Sequence, residues 1–218
     1  EGLANALCLR GMNLMDSDRE GALVVFGRAM ETAKQCGKQD ALANATLLKA
    51  LCLLRLEKSK EALPILAEAL NVANNAGQLK VASTAALVRA ALLERAKDTK
   101  EADKALRWAI ALATKTGEHE KVVEAYRRLA ELSGAENDKA GKLRAYASVI
   151  EVGTRAGLWD DVAEAHIARA QTLAEMKRGA PAKDEKEKAL SFADKVQDVE
   201  LKARLAALGG SREKETKS

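Results

Sequence analysis

The chain has 218 residues with 36 basic and 32 acidic side chains, a formal net charge of +4, 3% aromatic residues, two prolines and about one-fifth alanine. A β-sandwich or barrel needs β-branched and aromatic residues with frequent turn punctuation, so this composition excludes an all-β chain, and 47% hydrophobic residues exclude bulk disorder. The charge is mild and spread along the chain, apolar runs such as Leu51-Cys52-Leu53-Leu54 are far too short for a membrane span, and no basic-then-apolar leader opens the sequence, so neither nucleic acid nor membrane is expected as a partner.

The predicted elements are helices throughout: 3–15, 20–36, 39–57, 60–76, 79–97, 100–116, 119–133, 138–156, 159–177, 182–196 and 198–208, then a disordered polar tail over 209–218. A period underlies them. Gly37, Gly77, Gly117 and Gly157 stand 40 apart. Ahead of them recur Ala29-Met30, Ala69-Leu70, Ala109-Ile110 and Val149-Ile150; behind them recur Ala45, Ala85, Ala125 and Ala165, then Ala50, Ala90, Ala130 and Ala170. Each glycine ends one helix in the left-handed region and lets the next begin. A second break in each repeat falls at 57–60, 97–100, 133–138 and 177–181. One repeat is thus two amphipathic helices. Asp138 and Asp160 are expected as N-caps, Pro64 in a first turn and Pro181 just before a helix. The last helix, with Leu201, Leu205 and Leu208 on one face, reads as a cap. The first has no polar outer face, which leads to the expectation that more repeats precede Glu1.

Small residues at fixed places allow close helix crossings: Ala50, Ala62 and Ala69 in one repeat, Ala90, Ala102 and Ala109 in the next, with Leu53, Leu66 and Leu70 between layers. The run Ala50, Glu61-Ala62-Leu63, Leu66, Ala69-Leu70 resembles the tetratricopeptide repeat. Its 40-residue period is similar to the long repeats of LGN spindle adaptors, kinesin light chain and MalT-type regulators, and Ala69-Leu70-x-x-Ala73-x-x-x-Gly77 matches the LGN-type stretch. The resemblance implies an all-α, right-handed α-α superhelix, a single solenoid of about five repeats over 1–208. It also implies a protein–protein interaction scaffold or adaptor, with a concave groove for a partner helix or extended peptide. The alternative is a regulatory sensor whose groove takes a peptide or small effector and controls an attached output domain.

By the same resemblance the groove is lined by Asn44, Leu47, Leu51 and Leu54, then Thr84, Leu87, Ala91 and Glu94. It continues through Glu124, Arg127 and Glu131, and ends on Glu164, Ile167 and Gln171. The groove therefore passes from apolar to charged. Helix 39–57 is apolar nearly all round, so it is covered on both sides, either by neighbouring helices or by a partner. Chaperone adaptors of the family clamp a C-terminal carboxylate with lysine and asparagine; here Leu47, Leu51 and Leu87 stand at matching places, which argues against chaperone tails. Trp108 occupies a position whose equivalents are the polar Arg28, Glu68, Ser148 and Lys188, so it either packs under a neighbouring loop or marks a convex contact for a partner or for self-association.

Catalytic chemistry has little support. His119 and His166 are the only histidines and lie in no metal-ligand spacing; no phosphate-binding loop is present. His119 is expected to open a helix, and Tyr126 and His166 to stack between repeats. The charged run from Lys177 to Lys188 reads as a solvated face. Cys8, Cys36 and Cys52 form an odd set without C-x-x-C spacing, as expected of apolar fillers in a reducing, cytoplasmic compartment. No enzyme, metal or cofactor is expected.

Overall fold

Glycine and alanine at a fixed period dictate where helices stop and how closely they pack. The computed structural model describes residues 2–215, with side chains up to 208. Its described residues form eleven helices: α1 (Gly2–Leu14), α2 (Arg19–Gln35), α3 (Gln39–Arg55), α4 (Ser59–Asn75), α5 (Leu79–Arg95), α6 (Thr99–Thr116), α7 (His119–Ala135), α8 (Lys139–Ala156), α9 (Trp159–Glu175), α10 (Gly179–Leu190) and α11 (Val199–Glu215). Connections between helices of a pair are a few residues long, so paired helices run antiparallel.

The chain divides into two compact units, Glu1–Glu118 and His119–Ser218, with the division just after a repeat glycine. In the first unit each helix from α1 to α5 packs on the next, and the first helices of successive pairs, α1, α3 and α5, also touch. In the second unit α7 packs on α8, α8 on α9, α9 on α10 and α10 on α11. Each unit is therefore a stack of α-hairpins, the α-solenoid arrangement. The crossings are lined by alanines that are fully buried, among them Ala45, Ala50, Ala62 and Ala69 in the first unit and Ala125, Ala130 and Ala163 in the second.

The four repeat glycines adopt φ between 63° and 73°. Around Gly37 the Lys38 amide donates to the Ala33 carbonyl at 2.9 Å and the Gly37 amide to Lys34 at 3.1 Å. That pair of bonds is the Schellman closure of a helix end. The second break of each repeat uses the same closure without glycine: Glu57, Lys97, Asn137 and Lys177, again 40 apart, have φ of 58–60°.

Several local expectations change. Asp138 caps α8, accepting from the Gly141 amide at 2.8 Å, but Asp160 is not a cap: Leu158 occupies that place, and Asp160 instead accepts from the Gln197 amide at 2.7 Å. Pro64 is the sixth residue of α4, past the first turn, and Pro181 is the third residue of α10 rather than preceding it. The helix expected over 182–196 ends at Leu190, and 191–195 is a turn that sets Phe192 against Trp159 and His166 of α9. At the other end, α11 runs on through Gly209-Gly210 to Glu215; residues 216–218 of the expected tail lie outside the described residues.

Candidate functional site

In the first unit the expected groove residues lie on α3 and α5. Leu47 and Leu87 are buried at 8% and 6% exposure, so their side chains belong to the unit's own core. Leu51 packs with Leu56 and Leu14 around the buried Met15, Ala22, Phe26 and Cys52, which closes one side of the leucine-rich helix α3 with α1 and α2. Half-buried Leu51, Leu54, Thr84, Ala91 and Glu94, with exposed Asn44, form what is left of the row. Covering by neighbouring helices thus accounts for most of the apolar character read from 39–57.

In the second unit the row lies on α7 and α9 and is charged. Arg127 on α7 reaches Asp161 on α9 at 3.5 Å and Glu164 at 3.9 Å. Arg204 on α11 takes the other oxygen of Glu164 at 3.2 Å. Glu124 pairs along its own helix with Arg128 at 3.6 Å. Glu131 and Gln171 are exposed, while Ile167 is buried in the cluster of Ala163, Ala189, Leu201 and Leu205. Arg127, Glu164 and Arg204 border a recess of about 370 Å3, lined also by Asp160, Asp161, Asp198, Glu200 and Leu201. Five carboxylates face two guanidiniums there. Burial pushes the Asp161 carboxyl above its ordinary value; Arg127 opposes this, and Glu164, Asp160 and Glu120 reinforce it. The Asp160-Asp161 pair, which a first-turn macrodipole reading explains on its own, thus also joins α9 to α7 and to the segment before α11.

Between α9 and α10 lies a buried polar cluster that sequence reasoning missed. Glu185 on α10, inside the run taken as solvated, is 6% exposed. One carboxylate oxygen lies 2.6 Å from His166 Nδ1 and the other accepts from Arg169 Nε at 3.0 Å; Arg169 Nη1 donates to the Leu143 carbonyl at 2.9 Å. Burial pushes Glu185 up, but the hydrogen bonds from Arg169 and His166 outweigh it and hold the carboxyl below its ordinary value. Phe192, from the turn after α10, stacks against both His166 and Trp159 with centroids 5.7 Å apart, and Lys195 Nζ sits 4.2 Å from the Trp159 ring centre. His166 is therefore held within its own hairpin. The available signal was the repeat frame: position 185 aligns with Val25, Ala105 and Ala145, an inward position of the second helix.

His119 opens α7 as expected, Tyr126 lies half-buried beside Tyr146, and Trp108 on α6 is 41% exposed. Burial pushes the thiols of Cys8 and Cys52 up; Cys36 is exposed. Among the described residues no helix is long and apolar enough to cross a membrane, and no group of three or more His, Cys, Asp or Glu side chains could hold a metal ion.

No family model and no curated protein matches the sequence. Solved structures do match. A Podosopora anserina protein named for kinesin light chain, built of nearly identical TPR-like repeats, aligns at TM-score 0.65 with 11% identity over 89% of this chain and 97% of that one. The chain has the tetratricopeptide-like repeat fold. BtubC (BKLC) from P. vanneervenii aligns with the TPR-like hairpins at TM-score 0.69, 16% identical, over 87% of this chain and 80% of that chain. The apo form of RapI aligns at TM-score 0.76 with 11% identity, covering 94% of this TPR-like chain but 57% of RapI.

Proposed function

We propose that this TPR-like protein is an interaction scaffold or adaptor whose first-helix surfaces take a helix or extended segment of another protein. The observation that carries the reading is the charged row of the second unit. Arg127, Asp161, Glu164 and Arg204 are held in place by pairs between helices, beside a recess large enough for a long side chain. Fixed charges give register and partner choice more than raw affinity. The excess of carboxylates in the recess suits a segment bearing lysine or arginine. Within the first unit, the half-exposed Leu51, Leu54 and Ala91 suit apolar residues of a partner, and Trp108 is a separate convex contact. Free thiols at Cys8, Cys36 and Cys52 accord with a cytoplasmic, reducing location.

A regulatory module that takes a peptide or small effector and controls an attached domain is the second reading. It has one supporting observation: in RapI the aligned repeats make up 57% of the chain.

The test starts from partners captured on the intact protein and then measures each one's affinity for variants. Glu164→Lys is expected to weaken the true groove partner at least tenfold, about 1.4 kcal/mol, with helical signal intact and melting lowered only modestly, because the ion pairs it breaks to Arg127 and Arg204 are largely exposed. A partner indifferent to both Glu164→Lys and Leu54→Asp would show that neither row is the binding surface.

A further inference from the structure

We propose that Phe192 is the positioning residue of the charged recess: docked in an aromatic slot on α9, its ring sets where the α11 side of that recess stands. For its consequence in binding this rests on the proposed role of the recess, as the place of a partner's lysine or arginine.

The slot follows from helix geometry. Trp159 and His166 are seven residues apart on α9, so their side chains share a face and stand about 10 Å apart along the axis. That gap holds a single ring at stacking distance from both. Phe192 is that ring: its centroid lies 5.7 Å from each, at 18° to Trp159 and 15° to His166. Both walls of the slot are themselves anchored. Lys195 Nζ lies 4.2 Å from the Trp159 ring centre, and His166 Nδ1 lies 2.6 Å from the buried Glu185. The trio is particular to this repeat: one period earlier the same places hold His119, Tyr126 and Val152, and two periods earlier Leu79, Ala86 and Leu112.

What the ring holds is the connection to α11. Elsewhere a second helix passes to the next first helix through two or three residues with a left-handed glycine, as at Cys36-Gly37-Lys38 and Gly157-Leu158. From α10 to α11 the chain takes eight residues, 191–198, with Gln197 at the glycine's place and none of the eight left-handed. Side chains tie this segment to α9 instead. After Phe192, Val196 is buried with Ala163, Ile167, Leu201 and Leu205. The Gln197 amide donates to Asp160 at 2.7 Å, and the Leu201 amide to Asp198 at 2.7 Å. Asp198, Glu200, Leu201 and Arg204 then supply one set of the recess's lining side chains, and Arg127, Asp161 and Glu164 supply another. Phe192 is the first fixed point after α10, so the place of the first set depends on it. The ring is only half-buried, so its replacement spares the core.

Hydrogen exchange and carboxyl titration of the whole chain, followed by NMR, test this without a partner. Phe192→Leu keeps apolar bulk and loses the stack. In it the Gln197 and Leu201 amides are expected to exchange about tenfold faster than in the parent, through local opening. The Asp161 carboxyl, which burial raises, should titrate closer to its ordinary value of 3.8. Amides within α7 and α9 should keep their protection, and Phe192→Tyr should match the parent throughout. A capped tetra-arginine peptide probes the recess, with Glu164→Lys as the control for its site; it should bind Phe192→Leu roughly threefold more weakly than the parent. Unchanged exchange and titration in Phe192→Leu overturn the proposal, as does peptide binding equal to the parent's. Loss of helical signal in Phe192→Leu makes the ring a core residue and overturns it too. A parent that ignores the peptide, with exchange and titration changed as expected, overturns instead the role of the recess in binding and upholds Phe192 as what positions it.

Discussion

At the scale of the residue, Glu185 shows how far charge can mislead. It sits among lysines and acids in sequence, yet in the fold it is the acceptor for both His166 and Arg169 and is shut away from water. A carboxylate with two such donors is stabilising only while ionised. Its folded pKa lies below the ordinary value of 4.5, so its contribution is present above that value and is lost as pH falls through the lower folded pKa. Glu185→Gln is expected to lower stability by about 2–4 kcal/mol at neutral pH, since breaking one side of a buried pair leaves the other charge uncompensated. It should also flatten the loss of stability on acidification below about pH 4.5. Urea unfolding at neutral pH and at two acidic pH values straddling that point measures both. An unchanged pH slope would mean that His166 and Arg169 do not depend on this carboxylate. The sequence held a clue in the inward register of position 185, but a repeat position marks a side chain as facing in, not what it will meet there.

At the scale of the element, helix ends are set by two devices with the same geometry and different residues. Gly77 reaches the left-handed region at φ 72° without strain, whereas Lys97 does so at φ 59° with a Cβ. For an L-residue that conformation costs roughly 1–2 kcal/mol. Lys97→Gly is therefore expected to stabilise the first unit by about 1 kcal/mol, and Gly77→Ala to destabilise it by about 1 kcal/mol. A Cβ on Gly77 would meet nothing within 4 Å, so the second change reports backbone strain alone. Melting of the two variants with the parent decides it; equal melting temperatures would mean that closure bonds, not the left-handed residue, set the helix end. The glycine breaks were legible because glycine has a local reason to be there. The Glu57, Lys97 and Lys177 breaks were legible only as polar stretches, since no property of those side chains singles out the left-handed position; Asn137 alone is of a residue type that favours it. Likewise α10 stops at Leu190 because Phe192 finds a ring on either side, a long-range reason invisible in local propensity.

At the scale of the whole molecule, each unit has its own buried cluster and its own run of packed hairpins. Repeat stability is a sum of units and nearest-neighbour interfaces, so a piece containing several complete hairpins should fold. Residues 119–218 made alone are expected to show the helical signal and a cooperative melt, with Glu185→Gln lowering its melting temperature; a non-cooperative fragment would mean the second unit needs the first. The all-α class, the 40-residue frame and the alternation of first and second helices all follow from sequence, because they depend on small residues and turn-formers whose effects are local and periodic. Arg127 and Glu164 of the row on α7 and α9 follow instead from the resemblance to the tetratricopeptide repeat, and the ion pair between them is visible only in the fold. Which leucines are core and which are surface emerges in the folded chain: Leu47 and Leu87 are taken up in internal packing while Leu54 is left half-open. Folding likewise buries Glu185 and joins Arg204 and the Asp160-Asp161 pair to the recess. The physical reason is the same in each case. Burial and pairing belong to the helix lying opposite, and its side chains come from positions far along the chain.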